Sequence, residues 1–203
     1  PDYETPDDAD TNRDYVVDVN ASDGTVAVTQ TITVTVTDVN EIPVITSVAT
    51  NSVSENQTYA IDVNATDDDG DALTYTISGG ADQSKFDLNS STGVLTFKAA
   101  PDYETPDDAD TNRDYVVEVN ASDGTVADSQ TITVTVTDVN EAPVITQGAG
   151  PLSVTMSEDG SPTAWSAPTL GATDVETADS ALVWSVSSAA TNGTATVTGT
   201  AAA

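Results

Sequence analysis

The chain repeats itself with a period of 100 residues. Residues 1–46 and 101–146 differ at only four positions, which are Asp18/Glu118, Val28/Asp128, Thr29/Ser129 and Ile42/Ala142. A period of this length suits one modest domain. The sequence therefore predicts the end of one repeat in residues 1–42, a complete repeat in 43–142 and the first part of a divergent repeat in 143–203. The start on Pro1, without a methionine, predicts a segment of a longer protein.

The complete repeat alternates apolar and polar residues over seven short runs and shows no helical period. These runs predict strands A to G at residues 44–52, 59–65, 73–77, 86–88, 94–97, 115–121 and 131–137. In strand F, Tyr115, Val117, Val119 and Ala121 share one face, and Glu118 lies on the other. Seven strands in about 100 residues are typical of a Greek-key β-sandwich. The predicted fold class is all-β, with tandem immunoglobulin-like sandwiches joined end to end.

The charge balance excludes several classes of function. The chain has 34 acidic and 4 basic residues, a formal charge of −30, and neither cysteine nor histidine. These counts exclude disulfides, thiolate metal sites and a serine–histidine triad. A charge this negative repels nucleic acid and anionic membrane surfaces, and no apolar run reaches the roughly 20 residues of a membrane span. Carboxylate pairs are unavoidable in so acidic a chain, so they do not indicate an enzyme, and we predict none. Hard oxygen ligands of this kind suit Ca²⁺ or Mg²⁺.

Strand direction predicts where the acidic segments meet. If successive strands alternate in direction, residues 67–71 and Asp123 lie at the upper end of the sandwich. Glu55, residues 102–104 and residues 138–141 then lie at the lower end. In an end-to-end array the lower end of one repeat meets the upper end of the next. A pair of like charges about 4 Å apart costs roughly 4 kcal/mol at an effective dielectric of about 20, so such a junction requires cations.

Five motifs, in order along the period, resemble those of cadherin repeats in large bacterial extracellular surface proteins. They are Ser54-Glu55-Asn56, the pair Asp67 and Asp69 with Asp71 after it, Asp102-Tyr103-Glu104, strand F ending at Asp123, and the linker Asp138-Val139-Asn140-Glu141-Ala142-Pro143. The chain departs from the family by having Tyr103 for an arginine, a linker shorter by one residue, and Glu141 for an aspartate. The resemblance implies a cadherin-like sandwich.

The resemblance also implies that adjoining repeats share up to three Ca²⁺ ions. Carried over, the ligands of the first junction are Asp2, Glu4, Asn40, Glu41, Asp67, Asp69, Asp71 and Asp123. Those of the second are Glu55, Asp102, Glu104, Asn140, Glu141, Asp174 and Glu176. The third repeat keeps Ser157-Glu158 but has a longer loop after Asp174, which predicts fewer or weaker ions there. That the acids only form a solvated surface is the alternative.

We therefore expect a calcium-rigidified spacer from a bacterial adhesin, biofilm or surface-filament protein, located outside the cell or on its surface. Its expected partners are calcium and neighbouring repeats, in the same chain or head to tail in another copy. The alternative is a module whose repeats bind carbohydrate, such as cell-surface polysaccharide, or matching repeats on another cell. Trp165, which has no counterpart in the complete repeat, is a candidate contact for such a ligand. Asp108-x-Asp110-x-Asn112 resembles the start of a calcium loop, or is a plain acidic loop.

Overall fold

The computed structural model describes residues 1–8, 10–147, 152–153, 170–178, 181–188, 191 and 194. The chain divides into two compact units, Pro1–Thr137 and Asp138–Ala203. In the described residues the regular elements are short strands and 3₁₀ turns, as the alternating pattern predicts. No helix in this part of the chain is long and apolar enough to cross a membrane.

The first unit contains a hairpin followed by a sandwich. The hairpin consists of β1 (Asp14–Ser22) and β2 (Ala27–Thr35). The sandwich contains β3 (Val44–Ile45), β4 (Thr50–Ser54), β5 (Tyr59–Asp62), β6 (Ala65–Thr66), β7 (Thr74–Gly79), a 3₁₀ turn (Gln83–Lys85), β8 (Phe86–Leu88), β9 (Val94–Phe97), β10 (Asp114–Ser122) and β11 (Ala127–Thr137). One sheet has the order β4-β11-β10-β7, the facing sheet has the order β5-β9-β8, and β3 pairs with β6. This is the predicted sandwich.

The core lies between these two sheets. Tyr115, Val117, Val119 and Ala121 of β10 are buried, as are Ile132, Val134 and Val136 of β11, so the predicted inward faces are confirmed. Tyr115 meets Phe86 and Phe97 edge-on, with ring centroids 6.3 and 5.1 Å away. Such aromatic contacts add to the free energy of burial. The apolar faces of the two longest strands therefore form much of the core.

Two of the predicted strands, which were expected to be continuous, are each interrupted in the structure. Strand A divides into β3 and β4, and strand B divides into β5 and β6. The reason is that strand A changes partner along its length: β3 is antiparallel to β6, whereas β4 is parallel to β11. A chain that passes from one sheet to the other must break its pairing. Strand alternation alone does not reveal this, because the choice of partner depends on strands that are distant in the sequence.

The turn between β8 and β9 depends on a glycine. Gly93 has a φ of +72°, and a Cβ at this position would lie 2.0 Å from the backbone oxygen of Val63. The Gly93 oxygen also accepts the N–H of Val63 at 2.8 Å. Only glycine permits both this backbone angle and this close approach.

In the second unit, β12 (Val144–Ile145) pairs antiparallel with β13 (Ala172–Thr173). In the first unit, Val44 and Ile45 pair in the same register with Thr66 and Ala65. The chain after each of these pairs continues into an acidic loop, at Asp67 or at Asp174. Ser157, Glu158 and Trp165 lie outside the described residues.

Candidate metal site at the first linker

The first linker, residues 38–43, meets the upper loops of the sandwich in two hydrogen bonds. The side-chain amide of Asn40 donates to Asp123 Oδ2 at 2.7 Å, and the backbone N–H of Glu41 donates to Asp69 Oδ2 at 2.9 Å. Asp123 follows β10 and Asp69 follows β6, so both lie at the end where strand direction predicts them. The linker of one repeat is thus in contact with the upper acidic loops of the next.

Four carboxylates converge at this linker. Glu4, Asp38, Glu41 and Asp69 each offer one oxygen, and these four oxygens lie within 4.8 Å of one another. We call them the linker carboxylates. An ion bound at 2.3–2.6 Å leaves two of its ligands at most about 5 Å apart, so the spacing suits one calcium ion. Asp38 is absent from the sequence-based ligand set, although it begins the linker motif and could have been found there.

A second group lies in the loop after β6. Asp67, Asp69 and Asp71 each present one carboxylate oxygen within 4.8 Å of the others. The backbone N–H of Asp71 donates to Asp67 Oδ1 at 3.1 Å, which closes the loop on itself. Asp69 belongs to both groups, so this loop and the linker carboxylates share one residue. The carboxylate of Asp71, a predicted ligand of the first junction, is therefore in this group.

The electrostatics of these groups also suit a cation. Burial, and then the nearby carboxylates of Asp38 and Asp69, raise the pKa of Glu4 above its usual value. Burial, and then Glu4 and Asp69, raise the pKa of Glu41 in the same way. Glu41 Oε2 and Asp67 Oδ2 are buried without a hydrogen-bond partner, an arrangement that is costly unless something compensates it. Orphaned carboxylate oxygens with no softer ligand fit calcium.

Two predicted ligands of the first junction make other contacts. Asp2 Oδ1 accepts the N–H of Thr5 at 2.8 Å, which lowers the pKa of Asp2, and this carboxylate is not one of the four that converge. It lines the same cleft of about 290 Å³ as Glu4 and Glu41. The Asn40 side chain, followed by the N–H groups of residues 126 and 125, lowers the pKa of Asp123. The Asp123 carboxylate thus holds the linker by one hydrogen bond, from Asn40, and its own loop by the other two.

At the lower end of the sandwich, Glu55 and Asp102 are held in place by backbone groups. Glu55 is buried, with its carboxylate accepting the N–H of Tyr103 at 2.8 Å. Its own N–H donates to the Thr137 oxygen at 3.0 Å, at the end of β11. Asp102 Oδ1 accepts the N–H of Thr105 at 2.8 Å, and Thr105 lowers the pKa of Asp102. Glu104 lies in the same loop and is half-buried.

Within the second unit, the linker repeats the contacts of its counterpart. The Asn140 amide donates to the Glu141 backbone oxygen at 2.7 Å, as Asn40 does to Glu41 at 2.9 Å. The Glu141 N–H points to Glu176 Oε1 at 3.4 Å, where the Glu41 N–H contacts Asp69 at 2.9 Å. Asp174 Oδ1 accepts the N–H of Thr177 at 2.7 Å. Glu176 therefore takes the place of Asp69, with a longer contact.

In the loop at Asp108, the carboxylates of Asp108 and Asp110 both accept hydrogen bonds from the loop itself. Asp108 accepts the N–H groups of Asn112 at 2.9 Å and of Arg113 at 3.3 Å. Asp110 Oδ2 accepts the side-chain amide of Asn112 at 3.0 Å. The acidic side chains of this motif therefore satisfy the loop itself, which favours the plain acidic loop of the two alternatives.

Comparison with known proteins finds similarity to cadherins. The model of the cadherin domain matches residues 49–137. Human protocadherin-15 is 41% identical over 87 residues, and the human cadherin EGF LAG seven-pass G-type receptor 2 is 34% identical over 180 residues. These matches cover 41% and 83% of the chain, which spans only 4% and 6% of the two relatives.

A solved structure agrees with the fold. Extracellular cadherin domains 3–6 of protocadherin gamma B2 superpose with a TM-score of 0.51 at 24% identity, over 75% of this chain and 38% of that one. A likeness at this identity concerns the fold alone. The cadherin family consists of adhesion modules and not of enzymes. Residues 49–137 of this chain are thus similar to the cadherin domain, and their sandwich has a cadherin-like fold.

Proposed function

We propose that the chain is a calcium-binding, calcium-rigidified spacer segment of a repetitive bacterial adhesin, biofilm or surface-filament protein, located outside the cell. The observation that carries this proposal is the convergence of Glu4, Asp38, Glu41 and Asp69 from the linker regions and the sandwich. No catalytic role follows from it. Near-identity of residues 1–46 and 101–146 supports a spacer, because length is obtained by repetition whereas a specific binding site is needed only once.

In this proposal, six carboxylates hold calcium at the first linker, namely those of Glu4, Asp38, Glu41, Asp67, Asp69 and Asp71. The hydrogen bond between Asn40 and Asp123 connects the linker to the loop after β10. Calcium supplies positive charge that offsets the repulsion of these carboxylates. Without it, the linker is held to the sandwich by two hydrogen bonds and opposed by like charges. With it, ligands on both sides of the linker are fixed to common ions, and the hinge becomes stiff. Extracellular modules of this type bind with Kd on the order of 10⁻⁴ to 10⁻³ M.

Residues 101–141 repeat 1–41 with three differences, at Asp18/Glu118, Val28/Asp128 and Thr29/Ser129, so we assign the same chemistry to the second linker. Its ligands would be Glu55, Asp102, Glu104, Asp138, Asn140, Glu141, Asp174 and Glu176. The two-residue lengthening after Asp174, and the longer contact of Glu141 with Glu176, support weaker binding there. In the same proposal, residues 1–42 are the last two strands of a preceding repeat, 43–142 a complete repeat, and 143–203 the start of a divergent one.

The test is small-angle scattering on a protein made of two copies of residues 43–142 in series, with calcium and with a chelator. Chelation should shorten the mean dimension and broaden its distribution. Glu104→Ala should cause the same shortening and broadening even in the presence of calcium, because Glu104 is one of the proposed ligands at the lower end of the sandwich. Asp87→Ala is the matched control, since Asp87 is an exposed residue of β8 whose ion-pair contact is Lys98, at 3.9 Å. If neither the mean dimension nor the melting temperature changes with calcium, the spacer proposal is refuted.

The alternative function is a binding module whose repeats contact carbohydrate or matching repeats. The feature that favours it is the family, which consists of adhesion modules. A glycan array on residues 43–142 separates the two: calcium-dependent binding to a defined glycan would favour the module, and its absence together with calcium-dependent stiffening would favour the spacer.

A further inference from the structure

The two arginines of the chain have the same surroundings in both copies of the repeat. The Arg113 guanidinium carbon lies 4.2 Å from the centre of the Tyr103 ring, and that of Arg13 lies 4.1 Å from the Tyr3 ring. Nε of Arg113 donates to the Tyr103 backbone oxygen at 2.8 Å, and Nε of Arg13 to the Tyr3 oxygen at 2.7 Å. Each arginine thus contacts both the ring and the backbone of the tyrosine between two acidic residues.

These arginines are not used for ion pairs. In the part of the chain that the structure describes, ion pairs within 4.0 Å are made by Lys85 and Lys98. The chain has 34 acidic residues and 4 basic ones, so a guanidinium that stacks on a tyrosine and is in none of the ion pairs of the described residues is unusual. A guanidinium gains both a cation–π contact and a fixed hydrogen-bond direction from such a position.

The backbone supports this arrangement at some cost. Arg113 has a φ of +74° and Arg13 of +70°, in the left-handed region that a side chain such as arginine rarely adopts. Asp108 accepts the Arg113 N–H at 3.3 Å, and the Arg113 oxygen accepts the N–H of Val136 at 2.9 Å. The Asp108 loop therefore presents the arginine side chain. Glycine would take this φ without strain, so the side chain is what the position requires.

The tyrosine connects the arginine to the candidate ligands. Tyr103 follows Asp102, precedes Glu104, and donates its N–H to the buried carboxylate of Glu55 at 2.8 Å. Tyr3 has the same place between Asp2 and Glu4, and Glu4 is one of the linker carboxylates. Fixing the ring and carbonyl of the tyrosine therefore fixes the direction of the acidic residue that follows it.

We propose that Arg13 and Arg113 are positioning residues that hold the Asp-Tyr-Glu segment in the geometry in which its glutamate reaches calcium. This inference rests on the proposed calcium function. The positioning role and simple electrostatics predict opposite results. Removing a positive charge near a cation site should tighten calcium binding, whereas removing a residue that positions a ligand should weaken it. The sign of the change therefore separates a positioning role from mere proximity.

The experiment is a calcium titration of the 203-residue chain by NMR, with the backbone amides of Asn40 and Glu41 reporting on the first linker. Arg13→Gln and Arg13→Gly should each raise the Kd for calcium, measured at these amides, roughly tenfold. This is the size of effect seen when groups that orient metal ligands are removed. Arg13→Gly also relieves the backbone, so weakening in that variant is not explained by strain. Tyr3→Phe keeps the ring and the carbonyl and should leave the Kd unchanged. Lys98→Gln removes the same charge elsewhere and is the matched control.

A second readout needs no calcium. In a chelator, the Arg13 Hε signal should be displaced by the ring current of Tyr3, and Tyr3→Leu should remove that displacement while Tyr3→Phe keeps it. Arg13→Gln binding calcium as tightly as the parent chain, or more tightly, would overturn the positioning role while leaving the calcium function intact. No saturable amide shifts in the parent chain up to about 10 mM calcium, well above the Kd expected for such modules, would overturn both.

Discussion

The hairpin of β1 and β2 and the hairpin of β10 and β11 have nearly the same sequence and opposite surroundings. Both pair in the same register, with Tyr15 opposite Val34 and Tyr115 opposite Val134. Yet Ile32 is 44% exposed and Val34 57% exposed, whereas Ile132 and Val134 are fully buried. The pairing of a hairpin is therefore a local property, and burial of its apolar face depends on strands from elsewhere.

The energetic difference between the two hairpins follows from burial. Fully burying a valine or isoleucine side chain contributes about 1.5–3 kcal/mol. In the second hairpin the opposite sheet, β5-β9-β8, covers the apolar face. In the first, the same face is exposed. An isolated two-stranded hairpin is marginal in water, so we expect the first hairpin to contribute little stability of its own.

The largest expected effect is in the core. Ile132→Ala should lower the free energy of unfolding of the sandwich by about 2–5 kcal/mol, because it leaves a cavity between well-packed sheets. Ile32→Ala should change it by less than about 0.5 kcal/mol. Urea unfolding of the 203-residue chain measures both. Equal losses would show that the first hairpin is packed in solution as the second is.

The next effect concerns a buried carboxylate of the sandwich that holds one strand of the second hairpin. Asp82 is 3% exposed and accepts the N–H groups of Ala109 at 2.7 Å and Val116 at 2.8 Å. Asp82→Ala leaves both donors without their partner, so it should cost roughly 2–4 kcal/mol. Asp62→Ala, at an exposed position of β5, is the control and should be nearly neutral. Thermal melting in a chelator measures the difference without a contribution from calcium.

A smaller effect tests one of the four differences between the repeats. Asp128 Oδ2 accepts the N–H of Ile45 at 2.9 Å, whereas Val28 at the matching position is 70% exposed. Asp128→Val should therefore destabilise the sandwich by about 1 kcal/mol. The reverse change, Val28→Asp, should leave unfolding unaltered. If Asp128→Val did not change the free energy of unfolding, the hydrogen bond between Ile45 and Asp128 would not explain why the two repeats differ at this position.

The smallest expected effect is a pH dependence at Asp107. The Lys85 ammonium, at 2.6 Å, and the Tyr115 hydroxyl, at 2.9 Å, hold the pKa of Asp107 below its usual value. A depressed folded-state pKa gives stability that is present above the unfolded value of 3.8 and is lost as the pH falls through the folded value. Because the pair is exposed, this stability is at most about 1 kcal/mol.

Carbon-13 NMR of the side-chain carboxyl measures this directly. The Asp107 signal should titrate below pH 3.8, and Lys85→Gln should move its midpoint upwards. A midpoint that Lys85→Gln leaves in place would show that the ion pair is not formed in solution. On the other side of the same contact, burial and Asp107 raise the pKa of Tyr115 to about 12, so this tyrosine stays protonated up to strongly alkaline pH.

The sequence predicted the sandwich and the faces of its strands, because apolar residues recur at every second position from Tyr115 to Ala121 in β10 and from Ile132 to Val136 in β11. It also predicted which acidic segments share an end of the domain, since strand direction decides this without any knowledge of packing. It did not predict the division of strand A, because the choice between β6 and β11 as partner depends on three-dimensional neighbours. It omitted Asp38 from the ligand set and gave no role to Arg13 and Arg113, whose contact with tyrosine spans ten residues of an irregular loop.

Sequence alone determined the repeat, the strand alternation, the hairpin register and the acidic composition, because each depends on residues that are close along the chain. Tertiary structure alone decided whether a given copy of the same residues is buried, and which carboxylates come within 4.8 Å of one another. Burial requires a facing sheet from distant residues, as the exposed Val17 and the buried Val117 demonstrate. The convergence of Glu4 with Asp69 likewise requires that the linker is docked on the loops of the next sandwich, a condition that no local pattern contains.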